Sequence, residues 1–277
     1  MLGRLAIGAS AVGIAMAALA VPASASALRP ATTAQLTTAH PAAAGTPPTT
    51  ARATPAMPAT SSTGGYVAPS RTLQYGDRGS DVTAMQHRLA ALHYWLNVTG
   101  VFDYDTQEAV YAFQAINKLS MDGVVGPMTR NALVRPHAYT PQDPSVATRV
   151  EVNIYPKVQV LVYYKDHNLA LISHISSAGG YRFCDSNGCS IATTPTGWYR
   201  ANWFAPGWVT VPLGAMYNPV FFIGGSYAIH GDTSVPNYPA SHGCVRIPDD
   251  LAKVFHTMIS VSYSSGTRIH VYSRSGT

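Results

Sequence analysis

The sequence predicts a multidomain protein in which a small all-α domain is followed by a mainly β domain, both behind a leader and a tether. Three observations carry this. No acidic residue precedes Asp77, and Arg4, Arg29 and Arg52 are the only charged residues before Ser70, so the first quarter differs in composition from the rest. Apolar residues then recur with a helical period across residues 71–134. From about residue 148 to 274 they alternate as strands do. A length of 277 residues fits about two domains, and a hydrophobic share of 47% is enough to bury a core.

Arg4 precedes an apolar stretch at residues 5–21, and the small residues at 23–27 offer cleavage after Ala25 or Ala27. This is the pattern of an export signal over residues 1–27. The stretch is at the lower limit for spanning a bilayer, so cleavage is expected and an uncleaved anchor is the alternative. Either outcome puts the remainder outside the cytoplasm, with membrane contact only through this segment. Over residues 28–70, 34 of 43 residues are Ala, Thr, Pro, Ser or Gly. With so few large apolar groups to offset chain entropy, an extended, disordered tether is expected.

Ser80 and Asp81 are positioned to cap a first helix, whose Val82, Met85, Leu89 and Leu92 form one stripe. Asp105 and Glu108 have the spacing of a capping box for a second, buried through Ala109, Val110, Phe113 and Ile116. Gly100-Val101 followed by Thr106 and Ala109 recurs 23 residues later as Gly123-Val124 followed by Thr129 and Ala132, two glycine turns that each launch a helix. A proline-rich join at 136–144 follows. Val150, Val152 and Ile154 then alternate with Arg149, Glu151 and Asn153, which predicts a strand with one apolar and one wet face. Further strands are expected at 158–164, 169–176 and 267–272. One helix follows Asp249 and Asp250, with Leu251, Val254, Phe255 and Met258 as its apolar stripe.

Gly76-Asp77-Arg78-Gly79-Ser80-Asp81-Val82, Gln86, Leu89, Gly100-Val101-Phe102, Phe113-Gln114 and Asp122-Gly123-Val124-Val125-Gly126-Pro127 together resemble a peptidoglycan-binding domain of the three-helix type. Asp103 stands where that family often has glycine. The resemblance, covering residues 71–134, implies cell-wall peptidoglycan as the partner.

The densest reactive cluster is His230-Gly231 followed by Ser241-His242-Gly243-Cys244-Val245-Arg246. A free thiol with a pKa of about 8.5 is only slightly ionised at neutral pH and needs a base to become a nucleophile. His242 shares a face with Cys244 only in an extended chain, and Gly243 between them suggests a bend. His230 ends the expected strand Tyr227-Ala228-Ile229, which can hold an imidazole rigidly, and is favoured as the base.

This cluster resembles the L,D-transpeptidase family, whose signature is a histidine followed, after a variable loop, by Ser/Thr-His-Gly-Cys. Thr194-Pro195-Thr196-Gly197 matches another turn of that family. Over residues 148–274 the resemblance implies Cys244 as nucleophile, His230 as base and the Gly231 carbonyl as the group that orients it. Backbone N–H groups near Gly243 and Cys244 would meet the oxyanion, with His242 and Ser241 shaping the loop beside the substrate. Arg246 would face either a substrate carboxylate or a domain acid. Met216-Tyr217-Asn218-Pro219, which precedes the His230 strand, is expected to line the cleft, with Tyr217 on the substrate. The implied reaction is attack on an L–D peptide bond of a wall stem, release of a terminal D-amino acid, and resolution by an amine to give a cross-link. Water as acceptor would make it a carboxypeptidase. A non-catalytic peptidoglycan-binding scaffold is the other alternative.

Cys184 and Cys189 flank Asn187-Gly188, a hairpin turn signal that sets the two thiols on adjacent strands, where an oxidising compartment would join them. Zinc bound by these cysteines with the His242/Cys244 pair is the rival arrangement, but their four-residue gap is not the usual metal-ligand spacing. No metal or cofactor is therefore expected. Nor is nucleic acid, because the 18 Lys and Arg never form a run. Trp198, Trp203 and Trp208 either pack in the β domain or stack on sugars.

Overall fold

A computed structural model describes residues 66–185 and 188–275. The expected leader and most of the tether lie outside the described residues, as do Ser186 and Asn187 of the hairpin turn. Among the described residues no helix is long and apolar enough to cross a membrane.

Three helices come first: α1 (Ser80–Ala91), α2 (Tyr104–Ile116) and α3 (Pro127–Val134). Val82, Met85 and Leu89 are buried on α1, and Ala109, Val110, Phe113 and Ile116 on α2, as the spacing predicts. The caps differ. Gly79, which has no side chain to cap with, is the N-cap of α1, and Asp81 lies inside the first turn, 2.7 Å from the Arg71 guanidinium. Asp103 caps α2, accepting the Thr106 N–H at 3.0 Å. The capping box expected from Asp105 and Glu108 is not formed: the helix starts earlier, and Glu108 is buried against His174 at 2.6 Å.

Two buried glutamines explain the internal repeat. Gln86 accepts the Gly100 N–H (2.8 Å) and donates to the Val101 carbonyl and the Thr106 hydroxyl (both 2.8 Å). Gln114 does the same with Gly123 (3.0 Å), Val124 (3.0 Å) and Thr129 (3.1 Å). Gly100 and Gly123 have φ of 72° and 71°, the left-handed region that a side chain disfavours, so the turn offered to each glutamine needs glycine.

The strands follow in order: β1 (Arg149–Asn153), β2 (Val160–Lys165), β3 (Asn168–His174), β4 (Arg182–Asp185), β5 (Gly188–Ile191), β6 (Gly197–Arg200), β7 (Trp203–Phe204), β8 (Trp208–Val211), β9 (Gly214–Ile223), β10 (Tyr227–Asp232) and β11 (Val245–Pro248). Helix α4 (Asp249–Met258) and β12 (Arg268–Tyr272) complete the fold. One sheet has the order β3-β2-β1-β12-β6; a second has β11-β10-β9-β7 with β8 also on β9; β4 and β5 form a separate hairpin. Among the described strand pairs, β1·β12 and β10·β11 are parallel and the others antiparallel.

Strand alternation splits the core. From the first sheet, Val150, Val152, Leu161, Tyr163, Ile269 and Val271 meet Val220, Phe222, Ile229, Val245 and Ile247 of the second sheet and Leu251 and Phe255 of α4. On its other face, Val160, Val162, Tyr164 and Ile172 join Val82, Leu89, Phe113 and Ile116 of the helices in one continuous core. The segment after α1 also extends this sheet: the Trp95 backbone N–H donates to the Ile172 carbonyl and the Ile172 N–H to the His93 carbonyl, each at 2.8 Å, covering the β3 edge.

The wet face expected on β1 is buried instead. All five β1 residues are buried: residues 139–146 fold over Arg149 and Glu151, and Arg274, beyond β12, bonds Asn153. Arg149 and Glu151 form an ion pair at 2.6 Å with 1% and 0% side-chain exposure. Glu151 also accepts from the Tyr139 hydroxyl (3.0 Å) and the Gln142 N–H (3.1 Å), and the Arg149 guanidinium lies 4.0 Å from the Tyr164 ring centroid. Sequence alternation does not distinguish a solvated charge from one met by a partner remote in the chain.

Glu151→Ala leaves the Arg149 charge buried without its counterion and is expected to cost about 3–5 kcal/mol of stability, read by urea denaturation. A loss below about 1 kcal/mol would mean that this pair behaves as a solvated one.

Candidate active site

The parallel pairing of β10 and β11 builds the site. The register sets Ile229 beside Val245 and His230 beside Arg246. Ile229, Val245 and Ile247 enter the core between the sheets. By alternation, His230, Arg246 and, two positions before it, Cys244 take the opposite side. All three line one cleft of about 710 Å³. Its walls come from the β4–β5 hairpin (Phe183, Asp185, Ser190), the β8–β9 turn (residues 211–214) and Ser226-Tyr227.

His230 is buried, and its Nδ1 lies 2.8 Å from the Gly231 carbonyl. A carbonyl only accepts, so in the neutral ring Nδ1 carries the proton and Nε2 is left as the basic nitrogen. Gly231 is required by close packing: a Cβ there would lie 2.6 Å from Asp249 Oδ1 and 2.8 Å from Ala252 Cβ on α4. Cys244 is half-buried and free, with its Sγ 4.0 Å from Met216 Sδ and 3.9 Å from the Ser226 carbonyl. Burial pushes the Cys244 thiol above its ordinary pKa, opposed by a backbone hydrogen bond with Ala228 and by the Arg246 charge. Burial lowers that of His230, against the Gly231 bond and Asp232. Both shifts favour a neutral thiol and imidazole over an ion pair at rest.

The loop before Cys244 is clamped from within and from outside. Ser241 Oγ donates to the Cys244 carbonyl (2.5 Å) and accepts the Gly243 N–H (3.1 Å), so its hydroxyl is engaged in the loop itself. Of the two amides expected near the oxyanion, that of Gly243 is thus already in use. Thr194 Oγ1 donates to the Gly243 carbonyl (2.8 Å) and accepts the Ala178 N–H (3.0 Å), tying the Thr-Pro-Thr-Gly turn to the cysteine loop. The sequence marks that turn as a motif, but its contact with Gly243 spans 49 positions. A Cβ on Gly243 would lie 2.7 Å from the Tyr227 ring.

His242 lines the cleft as well, its ring packed edge-on against Tyr181 (5.5 Å) and Phe183 (4.8 Å). Cys184 and Cys189 are directly opposed on β4 and β5 and joined by a disulfide, which leaves no thiolate pair there for zinc. Of the two partners open to Arg246, the structure pairs it with a domain acid, Asp232, at 3.1 Å. Tyr217 does not line the cleft. It packs on Trp208 at 5.1 Å, while its neighbour Met216 faces the thiol. Trp198 stacks on His270 (4.4 Å) and Trp203 on Phe221 (3.9 Å), both as packing residues.

Thr194→Val keeps the volume but strands the buried Gly243 carbonyl and the partly buried Ala178 N–H. A loss of about 2 kcal/mol is expected in urea denaturation; unchanged stability would show that the clamp is dispensable.

Residues 147–271 match the family model of the L,D-transpeptidase catalytic domain, and residues 78–133 that of a peptidoglycan binding domain. Among solved structures, an L,D-transpeptidase (residues 123–326) from Xylanimonas cellulosilytica DSM 15894 is 35% identical. That alignment covers 74% of this chain and 99% of the other, with a TM-score of 0.67. An L,D-transpeptidase (Yku) from Stackebrandtia nassauensis is 17% identical over 74% of this chain and 97% of that one, with a TM-score of 0.41. No curated protein matches. The matched domains and the near-complete overlap with a relative of this identity establish that the chain belongs to the L,D-transpeptidase family, as a cell-wall L,D-transpeptidase with a peptidoglycan-binding module ahead of its catalytic domain.

Proposed function

We propose that Cys244 is the nucleophile of this transpeptidase and His230 its general base. The observation that carries this reading is the imidazole fixed through Nδ1 on the Gly231 carbonyl, in the same cleft as the free thiol. The thiol gives its proton to His230 Nε2 as Sγ bonds to the carbonyl carbon on the L side of an L–D peptide bond in a wall tetrapeptide. When the tetrahedral adduct collapses, the C–N bond breaks and His230 returns the proton to the departing D-amino acid. A thioester remains. The amine of a neighbouring stem then attacks it, losing its proton to His230, and the thiolate leaves as the cross-link forms. Because Gly243 donates to Ser241, the oxyanion assignment rests on the Cys244 N–H, a donor of the kind that contributes about 3 kcal/mol in such sites.

Arg246, held by Asp232 beside His230, contributes positive charge to the cleft rather than a free arm for a carboxylate. Ser241 and Gly243 keep the thiol in place. We further place the reaction outside the cytoplasm. The Cys184–Cys189 bridge supports an oxidising compartment, and its closure keeps those two thiols from competing with Cys244 for a partner.

Cys244→Ala is expected to abolish D-amino acid release from a tetrapeptide and cross-link formation, with an unchanged circular dichroism spectrum. Turnover near the parent rate would overturn the assignment. The pH dependence follows from the lowered His230 pKa: the base is lost only once pH falls through that depressed value. The acid limb of kcat/KM should therefore lie below about 6.5, the ordinary histidine value. A limb above that value would remove His230 as the base in this state.

A further inference from the structure

Residues 233–240 connect the β10 strand of His230 to Ser241 and the cysteine loop, and so set where the nucleophile lies relative to its base. The helical module holds this connection at two points. The Val235 N–H donates to the Tyr104 hydroxyl at 2.7 Å, and Asn237 Nδ2 donates to the Met121 carbonyl at 2.6 Å. Val235 is buried at 3% exposure, so its N–H has no water to fall back on. Tyr104 is the first residue of α2, and Glu108 lies one turn further on. Burial, with the nearby Glu108 carboxylate, raises the Tyr104 pKa, so its hydroxyl stays protonated.

The same helix turn reaches the other flank of the loop. Glu108 meets His174 at the end of β3, and the chain just beyond carries the rest of the support. Ser176 exchanges backbone bonds with Arg246 (3.1 and 3.0 Å), the Ser177 carbonyl accepts from Ala240 and Ser241 (both 2.9 Å), and Ser176 Oγ donates to the Tyr238 carbonyl (2.7 Å). One face of α2 therefore fixes the connecting loop directly through Tyr104 and braces its far end through Glu108 and His174.

We propose that the peptidoglycan-binding module completes the active site: Tyr104 and Asn237 are positioning residues that hold the loop between His230 and Ser241 and thereby set the base and the nucleophile at working distance. This rests on the assignment of Cys244 and His230 above. The module's seating on the catalytic domain is then a condition for turnover even on a soluble stem peptide, which needs no wall anchoring.

The test uses the full chain and three variants. Tyr104→Phe removes the acceptor of the Val235 N–H and keeps the ring; Asn237→Ala removes the second tie; Arg88→Ala breaks a bond inside the module, to the Leu133 carbonyl, without touching the loop. Measured on each are kcat and KM for D-amino acid release from a soluble tetrapeptide, the alkylation rate of Cys244 by iodoacetamide, and the melting temperature. Tyr104→Phe and Asn237→Ala should each lower kcat by about tenfold with KM nearly constant, the signature of misplaced reacting groups, and should slow alkylation. Arg88→Ala should retain the parent kcat. Parental kcat and alkylation in both loop variants would overturn the proposal, as would an equal kcat loss in Arg88→Ala at a matched fall in melting temperature. Turnover by Cys244→Ala would instead remove the nucleophile assignment, and the alkylation rates would still decide whether the loop governs the thiol.

Discussion

The sheet β3-β2-β1-β12-β6 must be buried on both faces, and most of the molecule follows from that constraint. Val160, Val162, Tyr164 and Ile172 project from one face and Leu161, Tyr163, Val150 and Val152 from the other. Burying large apolar side chains contributes about 1.5–3 kcal/mol each, so neither face is stable in water. The second sheet and α4 cover one. The helices cover the other, joining their own core to it and pairing residues 93–95 along its open edge. What reads as two domains along the chain is three packed layers in space.

That layering gives the helical module a second task. A module that only bound the wall would need a linker and no interior contact with its catalytic neighbour. Here Glu108 and His174 are buried together across the junction, and buried polar pairs are costly to break on one side only. The junction is therefore specific in register as well as apolar. It fixes α2 against the end of β3, from which the chain runs on to the segments beside Arg246 and Ser241.

The proposed nucleophile and base show how a small site is held by many backbone contacts. His230 needs one bond to fix its tautomer, and the Cys244 thiol meets Met216 and the backbone of Ser226 and Ala228. Their arrangement depends on a parallel strand pair, on Ser241 closing the turn from inside, and on Thr194 tying it from outside. Burial disfavours the charged form of both groups, which favours charge arising as the reaction proceeds, in a site with fixed dipoles near it. The disulfide hairpin adds a wall that carries Phe183 to His242, so the second histidine of the cluster packs against aromatic rings.

Local pattern along the chain was enough to place many of the elements and the reactive cluster. Periodicity located most of the stripes of α1, α2 and α4, with Val254 left exposed, and the strands β1, β2, β3, β10 and β12, since apolar spacing reports which face is buried; the signature around Cys244 and His230 carried the family, and Cys184 and Cys189 face each other on β4 and β5 as expected. Tertiary structure alone decided what covers each face. Asp81 could not be told from a cap until Arg71 came near it, Glu108 looked like half of a capping box until His174 met it across 66 positions, and β1 looked half-wet until the proline-rich join closed over Arg149 and Glu151. Tyr217 and Met216 are neighbours in sequence, and only the pleat of β9 decides which of them faces the thiol. Short-range pattern records the preference of a residue for burial or water, whereas the partner that meets a polar group, and the face a strand turns toward a site, are set by contacts with other parts of the chain.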